Sequence, residues 1–247
     1  MRCISFDPHL TPFSSVLSRF VFLVQEMAVA SRNTVRFFFD VVSPWSWMGF
    51  ETITRYHHQY PGAFDLRLEP FFLGGVMKAS GNQPPALLPA KAQYMFKDLP
   101  RSADYFGVSV NTPSVFPANT LTMQRVLTAL SSDQHDIEPV VRQAWKAYWH
   151  DDRDISQPEV LLEVLAESGV KDGPAWLRKA AEQPTKDRLM EATTDAVKSG
   201  AFGAPWFIVT PSGSDQEHVF FGSDRFHLLF PLIGLPWTGP HPSKSCL

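Results

Sequence analysis

The segment Ser43-Pro44-Trp45-Ser46 spaces two hydroxyls as Ser-x-x-Ser, directly after the apolar run Val35-Arg36-Phe37-Phe38-Phe39-Asp40-Val41-Val42. Aromatic and β-branched residues dominate that run, so it reads as a buried strand. Ser43 has the chemistry of a helix N-cap. Pro44 suits the first helical position, where no backbone N–H is needed. The pattern predicts a strand-to-helix turn. Cys-x-x-Cys at such a turn would mean thioredoxin-like redox chemistry. Here both sulfur positions carry Ser, and a hydroxyl cannot exchange disulfides, so a dithiol oxidoreductase is rejected. A hydroxyl at a helix start can donate a hydrogen bond to a thiolate that another molecule brings. The helix terminus there favours negative charge and lowers a thiol's pKa. The same hydroxyl also suits a plain helix cap. No Gly-x-Ser-x-Gly elbow surrounds Ser43, which leaves serine-hydrolase chemistry without support.

Three further places hold residues with binding chemistry. Gly203-Ala204-Pro205 leads directly into the apolar run that starts at Trp206. A proline suits a strand's first residue, and its peptide bond can be cis or an ordinary trans turn. If it is cis, the Ala204 backbone faces outward near Ser43 and can pair with an extended peptide ligand. Ser223-Asp224 precedes the last apolar stretch. The pair either caps a helix or binds an amino acid head group. Asn82 lies in the turn-rich segment 78–85, where it either stabilises its own backbone or meets a ligand. The eight histidines are scattered. His57 and His58 are neighbours on a predicted helix and do not share a face, so no metal site is expected.

The elements that must position these residues follow from periodicity. A helix is predicted over 47–60, ended by Pro61-Gly62, and a second strand over 66–70. Phe71-Phe72-Leu73 reads as a continuation of that strand, and Gly74-Gly75 as its break. Helices are predicted over 90–106, 118–130, 138–150, 158–168, 174–181 and 186–198. The β pattern returns at 206–210 and 218–221 as a hairpin, and Gly222-Ser223-Asp224 opens a last helix over 225–233. The class is α/β: a thioredoxin-like β-α-β…β-β-α domain (34–77 and 200–240) interrupted by an all-helical insertion (78–199).

The chain has 247 residues, 44% of them hydrophobic, with a formal net charge of −3. It is long enough for a full core, and nothing in its charge favours nucleic acid or an anionic membrane. The two cysteines, Cys3 and Cys246, lie near the termini, so neither a disulfide framework nor an internal catalytic thiol is expected. Residues 1–33 read as an extension outside the domain. Arg2, Arg19 and Arg32 give it a faint presequence character that Asp7 and Glu26 oppose. The tail, 241–247, ends in Ser245-Cys246-Leu247, a degenerate peroxisomal signal. The expected compartment is the mitochondrion or peroxisome, with the cytoplasm as an alternative.

Four stretches resemble the kappa-class glutathione transferases: 38–47, 75–89, 199–205 and Phe221-Gly222-Ser223-Asp224-Arg225. They occur in the family's order, and the similarity runs from about 35 to 240. The family is thioredoxin-like with a helical insertion. It also includes glutathione-dependent 2-hydroxychromene-2-carboxylate isomerases. The resemblance implies that Ser43 hydrogen-bonds the glutathione sulfur, with Pro44 and Trp45 lining the site. It places Asn82 at the glycine end of the tripeptide and Ala204, before Pro205, on the cysteinyl backbone. Ser223 and Asp224 then hold the γ-glutamyl end. It further implies glutathione as co-substrate, a small electrophile as partner, and a homodimer. Two departures stand out: Ala204 replaces a larger apolar residue of some members, and Trp45 stands where Tyr or Phe is common. The alternatives are the isomerase activity or a non-catalytic thioredoxin-like interaction or chaperone module.

Overall fold

Alternation along the first apolar run sets the layers. In the computed structural model, which describes residues 32–242, strand β1 (Asn33–Phe39) is covered on both faces. Val35, Phe37 and Phe39 enter one core and Phe38 enters another, as a period of two requires. Helix α1 (Pro44–Gln59) carries the chain to β2 (Phe64–Pro70), which pairs in parallel with β1. Strand β3 (Trp206–Thr210) pairs antiparallel on the other side of β1 and carries β4 (His218–Phe221) on its free edge. The sheet order is β2-β1-β3-β4.

Between β2 and β3 the chain is helical. It forms α2 (Leu73–Ser80), α3 (Pro89–Phe106), α4 (Leu121–Ser132), α5 (Glu138–Trp145), α6 (Pro158–Glu167), α7 (Gly173–Ala180) and α8 (Gln183–Lys198). A short helix, α9 (Phe226–Leu232), follows β4. This is the element order that the sequence predicts: a thioredoxin-like sheet with helices inserted in its middle. The larger core runs from the sheet into the helices. Trp145 of α5 packs against Phe39 of β1 and Phe50 of α1, with ring centroids 5.4 and 5.1 Å apart. Among the described residues no helix is long and apolar enough to cross a membrane.

Two local expectations are corrected. Phe71-Phe72-Leu73 does not continue the strand, and Gly74-Gly75 does not break it; both glycines lie inside α2. The Phe71 N–H still donates to the Phe39 carbonyl at 3.1 Å, but the Phe72 N–H goes to Thr193 Oγ1 and the Leu73 N–H to Asp40 Oδ2, at 3.0 and 2.9 Å, which takes the chain out of the ladder from Phe72 on. Gly75 also lies close to α8: a Cβ there would sit 3.2 Å from Thr193 Cγ2. Ser223-Asp224 does not cap the last helix. Arg225 occupies the N-cap position without a side-chain cap, because Asp224 pairs with Arg225 and Ser223 is buried. The helix predicted over 138–150 continues past Trp145 as a wider π turn, Lys146–His150. Cys3, the C-terminal Ser245-Cys246-Leu247 and, apart from Arg32, the residues quoted for the expected presequence lie outside the described residues.

Candidate functional site

Ser43 is built into the junction by three bonds. Its N–H donates to the Asp40 carbonyl at 2.9 Å, closing the turn after β1. Its Oγ accepts from the Ser46 N–H at 3.1 Å as the N-cap of α1, and donates to the Ala204 carbonyl at 3.5 Å. The residue is buried, as is Pro44 at the first helical position, and the first turn of α1 carries no acidic side chain. A positive helix end whose own first turn carries no carboxylate is therefore kept at this point. Ser46 differs from its partner in the motif: it is fully buried and its Oγ has no hydrogen-bond partner among the described residues.

The opposing wall is Ala204-Pro205, whose peptide bond is cis. The Pro205 carbonyl accepts from the Gly222 N–H at 3.0 Å, so the ladder with β4 begins at Pro205. Ala204 lies just outside that ladder, and its N–H has no partner among the described residues. A half-buried backbone group of this kind can accept an added strand. Gly49 permits the approach of α1. A Cβ there would meet Pro205 Cγ at 3.3 Å, Phe37 at 3.4 Å and Phe207 at 3.5 Å.

The remaining predicted residues reach the same neighbourhood through the backbone. Asn82 Nδ2 donates to the Phe202 carbonyl at 2.7 Å, and its Oδ1 accepts from the Gln83 N–H at 2.9 Å. Asn82 thus ties the loop after α2 to the segment that leads into Ala204. Ser223 and Asp224 directly follow Gly222, the residue bonded to Pro205; Ser223 is buried and Asp224 is exposed. Trp45 is half-buried. Together with Pro85, Lys91, Tyr94 and Met95 it lines a largely apolar cavity of about 400 Å³ beside the start of α1.

Sequence reasoning assigned no role to Asp40, which the structure places directly behind Ser43. It is fully buried. Its Oδ1 accepts from the Val42 N–H at 3.1 Å and from Thr120 Oγ1 at 2.7 Å, and its Oδ2 accepts from the Leu73 N–H. Burial pushes its carboxyl up to about 6, against the lowering effect of those three bonds. Gln124 was missed as well. Its Nε2 donates to the Phe39 and Phe71 carbonyls, and its Oε1 accepts from the Val41 N–H at 3.4 Å. The one signal in the chain was a lone carboxylate at the end of an apolar strand; Gln124 carries none, because its partners lie more than fifty residues away.

The sequence matches the DSBA-like thioredoxin domain family over residues 34–233. It is 38% identical over 218 residues to glutathione S-transferase kappa 1 of Rattus norvegicus, across 85% of this chain and 95% of that protein. With glutathione S-transferase kappa 1 of Homo sapiens it shares 36% identity over 218 residues, with the same coverage of both chains. Among solved structures, a 2-hydroxychromene-2-carboxylate isomerase superposes with a TM-score of 0.67 at 21% identity, covering 81% of this chain and 94% of that one. A probable DsbA oxidoreductase from Streptomyces coelicolor gives 0.66 at 20% identity, over 87% and 94%. At such identities the two structures speak for the fold alone. The extent and identity of the sequence matches speak for descent: the chain belongs to the DSBA-like thioredoxin domain family and, within it, to the kappa glutathione S-transferases.

Proposed function

We propose that this protein is a glutathione transferase that joins the thiolate of glutathione to small electrophiles, with Ser43 holding the sulfur. The family supports the activity and the co-substrate. The observation that carries the role of Ser43 is its hydroxyl at the start of α1, 3.5 Å from the Ala204 carbonyl and opposite an unpartnered Ala204 N–H. At 3.5 Å the present hydrogen bond is long, and the hydroxyl rotor is free to turn its hydrogen to a better acceptor. A thiolate is such an acceptor, and the positive end of α1 favours its charge.

Ala204 then offers its N–H and C=O to the cysteinyl backbone of the tripeptide. Asn82 serves the glycine end, and Ser223 with Asp224 the γ-glutamyl end. Pro44 and Pro205 close the site around the sulfur. The cavity beside Trp45 takes the electrophile. Attack forms a sulfur–carbon bond, and the leaving group departs with its electron pair. The protein acts as a homodimer, an assembly for which exposed Leu87, Leu88 and Phe96 offer apolar surface; sedimentation of the full chain measures it.

The decisive test is Ser43→Ala. A hydrogen bond to a charged group is worth about 1.5–3 kcal/mol, so its loss raises the thiol pKa of bound glutathione by about 1–2 units. The pH–rate profile for conjugation of an aromatic halide moves up by that amount, while glutathione affinity measured below the thiol pKa changes little. A profile that stays in place overturns the role of Ser43. Saturable glutathione binding without conjugation of any electrophile overturns the transferase activity, and chromatography of a hydroxychromene substrate then tests for isomerisation.

A further inference from the structure

On the other face of the sheet, a second cavity of about 480 Å³ opens between α2, α4 and α8. None of its lining residues belongs to the site around Ser43. Its volume falls within the ~300–1,000 Å³ typical of small-molecule sites. Phe72, Leu121, Leu189 and Met190 give it a mostly apolar wall, and Met190 is left 65% exposed at the surface. Two cations, Arg125 and Lys186, also line it. Neither has a carboxylate partner among the described residues, whereas Arg36, Arg142 and Arg153 each pair with at least one. Arg125 Nε is moreover buried and has no hydrogen-bond acceptor among the described residues. The terminal nitrogens of Arg125 have no hydrogen-bond partner among the described residues either, and unlike Nε they are not buried, which leaves donors for an acceptor in the cleft.

We infer that this cleft binds amphipathic anions: molecules with one oxyanion head group and a short apolar body. The head group lies between Arg125 and Lys186. A planar guanidinium suits a two-oxygen acceptor such as a carboxylate or sulfate. The apolar body covers Phe72, Leu121, Leu189 and Met190. Glutathione, with two carboxylates and a polar backbone, is a poor match for this wall, so the cleft is a second site and not an extension of the first.

Calorimetric titration of the full chain tests the inference with decanoate, decyl sulfate, decanol and inorganic phosphate. Decanoate and decyl sulfate bind saturably with one site per chain. Decanol binds at least about ten-fold more weakly, and inorganic phosphate gives no heat, since each half of the ligand alone forfeits one half of the cleft. Carboxylate and sulfate heads are told apart by the ratio of the first two affinities. Arg125→Met and Lys186→Met each weaken decanoate about ten-fold. Thr194→Trp, at an exposed lining position on α8, abolishes binding by filling the cleft. It leaves the unfolding midpoint unchanged, so a folding defect in Arg125→Met does not decide the matter. Saturating glutathione leaves decanoate affinity as it was. Decanol binding as tightly as decanoate, undiminished binding in Thr194→Trp, or displacement by glutathione each overturns the inference.

Discussion

Asp40 has no contact with solvent and sits one turn behind Ser43, so its ionisation is a property of the fold as much as of the site. Its carboxyl is raised to about 6, from an unfolded value near 4. A carboxyl raised by folding stabilises the native state when protonated. That contribution is complete below about pH 4 and is lost as pH rises through about 6, with a size of ~3 kcal/mol for a shift of about two units. Asp40→Asn stays neutral throughout. The difference in unfolding free energy between wild type and Asp40→Asn, followed by denaturant titration from pH 4 to 7, therefore moves against the wild type as pH rises; a difference that is flat with pH refutes the assignment. The two serines of the motif separate in the same manner. Ser46 Oγ is buried and unpartnered, so Ser46→Ala keeps or raises stability by up to ~1 kcal/mol and leaves the pH–rate profile in place. Under the proposed role of Ser43, Ser43→Ala is the substitution of the two that is expected to move that profile.

The site depends at the level of elements on how closely α1 lies against the cis-proline segment. Gly49 is the residue that permits it. A Cβ would already press on Pro205 and Phe37, and a branched side chain would have to displace α1 or the start of β3. Gly49→Val is expected to cost ~1–3 kcal/mol through overpacking. It also separates Ser43 from Ala204, so glutathione affinity falls more than the stability loss alone would cause at temperatures where the variant is fully folded. Thermal unfolding and calorimetric titration measure the two effects; unchanged affinity would show that the approach of α1 does not set the site. α2 follows the same logic. Gly75 lets it meet Thr193 of α8, which is why a glycine pair that resembles a strand break lies within a helix.

Across the whole molecule the inserted helices and the sheet share a core. Trp145 joins α5 to β1 and α1, and Gln124 of α4 holds the ends of β1 and β2 together by three hydrogen bonds. The C-terminal segment is tied back to α1: Tyr56 accepts from the Thr238 N–H and donates to the Gly239 carbonyl, while Arg55 donates to the Phe106 and Pro240 carbonyls. With these links, the helical block has no separate core that could survive loss of the sheet. Scanning calorimetry is expected to show one transition whose calorimetric and van't Hoff enthalpies agree. Two resolved transitions would show that the insertion folds by itself.

The local chemistry of the chain determined β1, the Ser43 turn, α1 and the β3–β4 hairpin, since strand alternation, N-capping and turn residues act within a few positions. It also determined which groups could meet a thiolate, because only hydroxyls stand where a redox motif would carry sulfur. Tertiary structure decided the rest. Gly74-Gly75 is helical because Asp40 and Thr193 take the preceding N–H groups. Ser223-Asp224 leaves the helix start uncapped because Asp224 turns to Arg225 and Ser223 is buried. The burial that raises Asp40, and the meeting of Arg125 with Lys186 in one cleft, join residues dozens of positions apart. No periodicity encodes such meetings; they exist only once packing has selected which faces come together.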